Sequence, residues 1–211
     1  MRQILWAATA LVAFATAAAA ADNVVIEPGA AAYNWSGVYV GGAIGYNELS
    51  LQDLDFEDDY HSGSGFAGAV YAGYNHQVGN VVLGVEADLK YSSADVSIDD
   101  AYIPYESRWG ASFRGRAGYA VGSIMPYVTA GLAIANFRGD HEGNGEDIAT
   151  ETVSGYVVGG GVEWGATQNI VVRAEYLYSD YGANEFEFPI NDIHDVDMRT
   201  HDFRLGVAYK F

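Results

Sequence analysis

Three kinds of side chain in this sequence have spacings that suggest chemistry. The first is histidine beside hydroxyls. His61, His141 and His194 fall in polar stretches and His201 near the start of the last apolar segment, with Tyr60, Tyr102 and Tyr105 in the same class of stretch. Histidine and tyrosine are axial ligands for haem iron, although a solvated polar residue is the plainer account of a loop histidine. His61, Ser62, Gly63 and Ser64, beside acids, form the one local arrangement resembling a nucleophile with its base. Such clusters are common in loops, so neither catalysis nor a resident cofactor is expected. The second kind is carboxylate. Glu57-Asp58-Asp59 and Asp99-Asp100 are the densest runs. Their oxygens suit Ca²⁺ or Mg²⁺, but neither run has EF-hand spacing. The third kind is acid and base at every second position: Glu86, Asp88 and Lys90, then Arg114 and Arg116, then Glu163 and Arg173. Charges at that period share one face of a strand, which is the pattern of an ion-pair lattice.

The elements carrying these charges have to be strands. In the last stretch Phe203, Leu205, Val207, Tyr209 and Phe211 alternate with Asp202, Arg204, Gly206, Ala208 and Lys210. One face is apolar and the other mixed, and the chain ends on an aromatic residue. Such a strand suits a closed membrane barrel, with lipid on one side and a polar interior on the other. The pattern recurs over 35–49, 65–78, 81–93, 108–121, 124–137, 153–165 and 170–181, with 200–211 as the eighth segment. None of them has helical spacing. Gly79-Asn80, Gly122-Ser123 and Thr167-Gln168-Asn169 read as tight hairpin turns. The four other connections are long: 50–64, 94–107, 138–152 and 182–199. Three short turns and four long loops describe an eight-stranded antiparallel up-and-down transmembrane β-barrel over 35–211, with both chain ends on the short-turn, periplasmic side.

Parity supplies pairings. Val81, Leu83, Val85, Ala87, Leu89 and Tyr91 share the apolar face of one strand, and Trp109, Ala111, Phe113, Ala117 and Tyr119 that of the next. Pairing around the loop sets Asp88 opposite Arg114 and Glu86 opposite Arg116. The same exercise around Gln168 sets Glu163 opposite Arg173 and Trp164 opposite Val172. The inward acids, with Glu175 and Asp202 added, roughly balance the inward bases. An eight-stranded barrel is just wide enough for side chains to fill, so a plugged lumen is expected over an ion path. His76 is placed inward, near the periplasmic turn. Gly41-Gly42 and Gly159-Gly160-Gly161 lie within strands, where they relieve crowding; they do not open helices as nucleotide fingerprints do. Tyr91, Trp109, Trp164 and Tyr178 are the proposed anchors at the membrane–water boundary.

Residues 1–21 read as a secretory signal peptide. Arg2 gives a positive start, an apolar stretch follows, and Ala19-Ala20-Ala21 precede Asp22. Residues 22–34 are then a short periplasmic lead-in. No cysteine is present, so disulfides contribute nothing to holding the exported chain. Net charge is −18, and loss of Arg2 makes it about −19. The acids concentrate in the long connections, among them Asp53, Asp55, Asp95, Asp140, Glu142, Glu185 and Asp197. Such a surface is a poor partner for nucleic acid. It keeps the outer face solvated, or bridges through divalent cations to the lipopolysaccharide around it.

Several strand motifs are specific enough to carry a resemblance. WSGVYVGGAIGY (35–46), GAVYAGYN (68–75), VLGVEAD (82–88), RGRAGY (114–119), PYVTAG (126–131), VVRAEYLY (171–178) and RLGVAYKF (204–211) resemble strands of the small alphaproteobacterial outer-membrane β-barrel proteins, the porin-family or surface-antigen group. The match spans nearly all of the chain after residue 34; the long loops match nothing in that group. The resemblance implies an OmpA-like transmembrane barrel set among outer-membrane lipid and lipopolysaccharide. It implies assembly by the outer-membrane insertion machinery, which reads the last strand, so Val207, Tyr209 and Phe211 are expected to be the insertion signal. It further implies a role in envelope integrity and host contact, with small-solute passage or surface binding of hemin, divalent cations or host molecules as alternatives. It offers no shared catalytic motif.

Overall fold

A computed structural model of the chain describes residues 33–53, 60–93, 95–96, 105–140, 147–187 and 193–211. Residues 1–21, read above as a signal peptide, most of the segment 22–34, and the acidic runs Glu57-Asp58-Asp59 and Asp99-Asp100 lie outside the described residues, as does His141. Nine strands are present among them: β1 (Gly37–Asp53), β2 (Tyr60–Val78), β3 (Val81–Ser92), the two-residue β4 (Asp95–Val96), β5 (Tyr105–Tyr119), β6 (Ile124–Asp140), β7 (Asp147–Gly165), β8 (Ile170–Glu187) and β9 (Ile193–Lys210). All pairings are antiparallel. β1 pairs with both β2 and β9, so the sheet closes, and the eight long strands are the staves of a barrel. Closure leaves no unpaired edge, and every backbone polar group at membrane depth finds a partner in the ladder.

The tight turns account for one end of the barrel. Gly79 and Gly122 have φ of +62° and +61°, the left-handed conformation that two-residue hairpins demand and that glycine adopts without strain. The Val121 and Ile124 backbones exchange hydrogen bonds of 2.8 and 3.1 Å across the second turn. In the third, Thr167 Oγ1 accepts from the Asn169 and Ile170 amides at 3.3 and 3.0 Å.

At the other end the strands run beyond their expected limits. The segment 170–181 becomes Ile170–Glu187 and the segment 200–211 begins at Ile193. Gly182, placed by the sequence reading at the start of a loop, instead lies inside β8 with φ +69°, at a bulge where the register to β9 shifts between Asp180 and Ala183. Its amide donates to Asp180 Oδ1 at 2.9 Å. A bulge accommodates the extra residue without ending the ladder.

Alternation sorts the side chains. Val40, Ile44, Val70, Leu83, Leu89, Phe113, Val128, Leu132, Val158, Leu205 and Val207 point outward and are exposed. Aromatic residues bound this belt, with Tyr74, Tyr119, Trp164 and Tyr209 at the short-turn end and Phe66, Tyr91, Trp109 and Tyr156 at the long-loop end. On β7 the rise from Trp164 to Tyr156, at about 3.3 Å per residue and a tilt near 40°, spans roughly 20 Å, close to a hydrocarbon layer. An apolar belt between aromatic girdles, on the outside of a closed sheet, faces lipid. His76 corrects its assignment. It shares outward parity with Tyr74 and Val78 and is exposed, while its neighbour Asn75 is buried.

Packing inside is tight where tyrosines lie on glycines. A Cβ added to Gly41 would sit 2.5 Å from the ring of Tyr71. Overpacking of this kind typically costs about 1–3 kcal/mol. Gly41→Ala is therefore expected to lower the unfolding free energy by that amount, read from the shift of the urea midpoint followed by tryptophan fluorescence. Gly68, where an added Cβ meets nothing within 4 Å, provides the control, and Gly68→Ala should move the midpoint far less.

Candidate functional site

The barrel interior holds the charges that the sequence set at period two. Buried among the described residues are the acids Glu86, Asp88, Glu163, Glu175 and Asp202 and the bases Lys90, Arg114, Arg116, Arg173, Arg204 and Lys210. Lys210 stands apart at the short-turn mouth, where Nζ donates to the Asn34 carbonyl and lies 4.9 Å from the Tyr33 ring centroid. The remaining five acids and five bases form one connected, formally neutral lattice.

Glu86 is its hub. Its carboxylate meets Arg114 Nη2 at 2.5 Å, Arg173 Nη2 at 2.7 Å and Arg116 Nη1 at 3.4 Å, and it accepts from the Tyr39 hydroxyl at 2.7 Å. Glu163 holds Arg173 at 2.6 Å and Arg116 at 2.8 Å. Arg114 reaches Asp88 at 2.9 Å and Glu175 at 3.2 Å. Asp202 takes Lys90 at 2.9 Å and an Asn47 amide donor at 2.9 Å, and Arg204 links Asp202 to Asp88 at 3.6 and 3.5 Å. The guanidinium carbons of Arg116 and Arg173 lie 4.1 Å from the Tyr127 ring centroid and 4.2 Å from that of Tyr71. Buried charges persist only when paired and hydrogen-bonded, and each of these has an opposite charge in contact.

The register differs from the sequence pairing on one side. β3 and β5 set Glu86 opposite Arg114, Gly84 opposite Arg116 and Asp88 opposite Ser112, a shift of two residues from the expected alignment. The loop between these strands leaves register open, and a shift of two preserves parity, so the inward set is unchanged. Long arginine side chains then reach diagonally, so Asp88 and Arg114 still form a pair, as do Glu86 and Arg116. On the other side Glu163 stands opposite Arg173 and Trp164 opposite Val172. The sequence reading did not single out Tyr39, Tyr127, Asn47 and Ser112, which hydrogen-bond the lattice acids. Their inward parity was the available signal.

Apolar layers lie above and below the lattice. Toward the long loops are Leu49, Ala133, Ala135, Val153, Val157, Leu177, Tyr181 and Met198. Toward the short turns are Tyr33, Trp35, Tyr39, Tyr71, Val82, Ala120, Met125, Val171 and Ala208. Trp35 closes this lower end. Its amide donates to Gln77 Oε1 at 2.8 Å and its indole N–H to the Gly122 carbonyl at 3.3 Å. The Tyr33 ring stands 4.5 Å from it.

The proposed boundary residues take outward positions. Tyr91 and Trp109 pack edge to face with centroids 5.1 Å apart, and Trp164 is exposed beside a short turn. Tyr178 is partly covered, and its hydroxyl donates to Asp180 Oδ2 at 3.1 Å. Val207, Tyr209 and Phe211 share the outward face of β9, with the Phe211 amide donating to the Val38 carbonyl at 2.9 Å across the closing seam. Of the loop histidines, His201 alone has a described side chain. The side chains of His61 and His194 lie outside the described residues, and His201 is outward on β9.

The comparisons agree with this geometry. The family described as "Outer membrane protein beta-barrel domain" matches residues 7–211. A 22 kDa outer membrane protein of Rhizobium leguminosarum is 39% identical over 181 residues, covering 84% of this chain and 79% of the relative. A 31 kDa outer-membrane immunogenic protein of Brucella melitensis is 34% identical over 241 residues, covering all of both chains. Among solved structures, Neisserial surface protein A superposes with a TM-score of 0.56 at 20% identity, over 83% of this chain and 98% of that one, and so shares the fold. With a closed eight-stave barrel, a lipid-facing belt and a family match over almost its whole length, the chain belongs to the outer membrane protein β-barrel family and is a protein of the outer membrane.

Proposed function

We propose that the protein is a non-conducting structural component of the outer membrane, without catalytic activity or a resident cofactor, that maintains the envelope barrier. One observation carries this reading: a neutral lattice of paired charges fills the lumen, with apolar side chains packed across it at both ends. An ion path needs mobile charge and water. Here each lattice charge is engaged by an opposite charge, and opening a path means separating buried pairs. The acidic connections form an anionic outer surface facing lipopolysaccharide, consistent with relatives described as immunogenic proteins. Export through a cleaved signal at 1–21 and delivery by the insertion machinery complete the proposal.

The test is envelope leakage in a deletion strain challenged with detergent. Wild-type protein is expected to restore the barrier. Complementation with the loop carboxylates changed to Asn and Gln separates the barrel's contribution from that of the loops. Restoration by neither version would sink the envelope role. The lumen has its own check. Refolded protein in a planar bilayer is expected to give no stable conductance, and reproducible channels altered by Arg114→Ala would establish a pore instead.

A further inference from the structure

The outer wall is not uniform. Among the residues whose side chains are described, β2, β3, β5, β6 and β7 present no Asp, Glu, Lys or Arg on their outward faces. The exceptions meet in one quadrant, at the long-loop end of β8, β9 and β1: Asp180, Arg199 and Glu48, with His201 among them. Register makes them neighbours. Asp180 faces Arg199, Tyr178 faces His201, and His201 faces Glu48. Tyr156 joins from β7, opposite Asp180.

The side chains form a shelf. The Tyr176 hydroxyl and His201 Nδ1 are 2.7 Å apart. The Tyr178 ring lies 5.3 Å from the imidazole, and Tyr176 lies 4.9 Å from Phe203. The Tyr156 and Tyr178 hydroxyls both donate to Asp180 Oδ2 at 3.1 Å, and Arg199 Nε is 3.7 Å from the same oxygen. Below the shelf the surface turns aliphatic within two residues, at Ala174, Leu205 and Ile44. From the loop end downward the wall is thus charged, then aromatic, then apolar, on the lipid-facing side.

We propose that this quadrant binds the amino-sugar headgroup of an outer-leaflet glycolipid. Three features select that occupant. The shelf stands at headgroup height above a surface made for acyl chains. Aromatic faces beside carboxylates, an imidazole and a guanidinium offer ring stacking together with acceptors and donors for sugar hydroxyls and amines. The formal charge of Glu48, Asp180 and Arg199 together is −1 with histidine neutral, which opposes a bare phosphate and favours a headgroup recognised through its sugar. This inference rests on the envelope reading and names the lipid on which that role acts.

The experiment uses the refolded mature chain in detergent, with native mass spectrometry as the readout. Its probes are monophosphoryl lipid A and phosphatidylglycerol, which carry one phosphate each and differ in the sugar. Wild-type protein is expected to retain the lipid A at a concentration about tenfold lower, the scale of one or two hydrogen bonds to charged groups. His201→Ala combined with Asp180→Asn should abolish that preference, and Tyr176→Phe with Tyr178→Phe should weaken it without disturbing the fold. Trp109→Phe, on the opposite wall, should leave it intact. EDTA should leave it intact as well, because the side chains act without a bridging cation. Equal retention of both lipids, an unchanged preference in His201→Ala/Asp180→Asn, or loss of preference in EDTA would each overturn the proposal. Leakage separates the two readings. A restored barrier without lipid preference removes only this site, and a preference without a restored barrier removes only the envelope role.

Discussion

Replacing Glu86 by Gln is expected to destabilise the barrel by about 3–5 kcal/mol, the range for removing one partner from a buried ion pair. Glu86 is the acid that Arg114, Arg116 and Arg173 share, at 2.5, 3.4 and 2.7 Å. A neutral amide keeps the shape and loses the charge, leaving five buried bases on four acids. Arg116 and Arg173 retain Glu163, and Arg114 retains Asp88 and Glu175. The lattice should therefore loosen around its hub while the barrel stays closed. The measurement is the urea midpoint of refolded protein in detergent, read as loss of heat-modifiable mobility. A second variant isolates the cause. Glu86→Met with Arg173→Met removes one acid and one base and replaces them by apolar volume, so most of the loss should be recovered. An unfolding free energy for Glu86→Gln within about 1 kcal/mol of wild type, the usual cost of a single substitution, would mean that the hub contributes packing and little electrostatics.

Deletion of Phe211 has its large effect at a different stage. In the folded barrel its ring faces outward, 5.0 Å from Tyr209, and its backbone amide closes onto Val38. Those contacts are peripheral, and their loss should cost the finished barrel about 1 kcal/mol, the net value of one hydrogen bond. The residue nevertheless ends the strand that must complete the seam. β9 pairs with β1 from Tyr39 opposite Lys210 to Asp53 opposite Val196, and until that ladder forms both strands expose edges. Cells making the shortened chain are expected to hold little heat-modifiable protein in the outer membrane, while the same chain refolds in detergent nearly as wild type does. Normal outer-membrane levels would show that the terminal aromatic is dispensable for assembly. Failure to refold in vitro would move its role from recognition to stability.

Much of this architecture is legible in the sequence because a membrane barrel places a hard constraint on every strand. One face meets hydrocarbon and the other a polar lumen, so Val81 to Tyr91 and Phe203 to Phe211 each declare orientation and depth by alternation alone. Strand count, the positions of the tight turns and the inward charge set follow from that. The signal weakens where the constraint lapses. Beyond the membrane both faces meet water, no alternation is enforced, and β8 and β9 extend past their legible ends because neighbouring backbones go on pairing. His76 was misplaced because a polar residue at the boundary satisfies either face. Register across the long β3–β5 connection was also hidden. Parity permits slips of two, and only the closed barrel, where every strand must fit two neighbours, sets Glu86 opposite Arg114. The sequence by itself determined a closed, lipid-facing barrel with charges inside. The tertiary structure alone decided that Glu86 would be shared by three arginines, that apolar layers would close both ends of the lumen, and that Asp180, Arg199, His201 and Glu48 would meet on one wall. These outcomes depend on which strands become neighbours across distant stretches of chain, and periodicity along one strand carries no information about that.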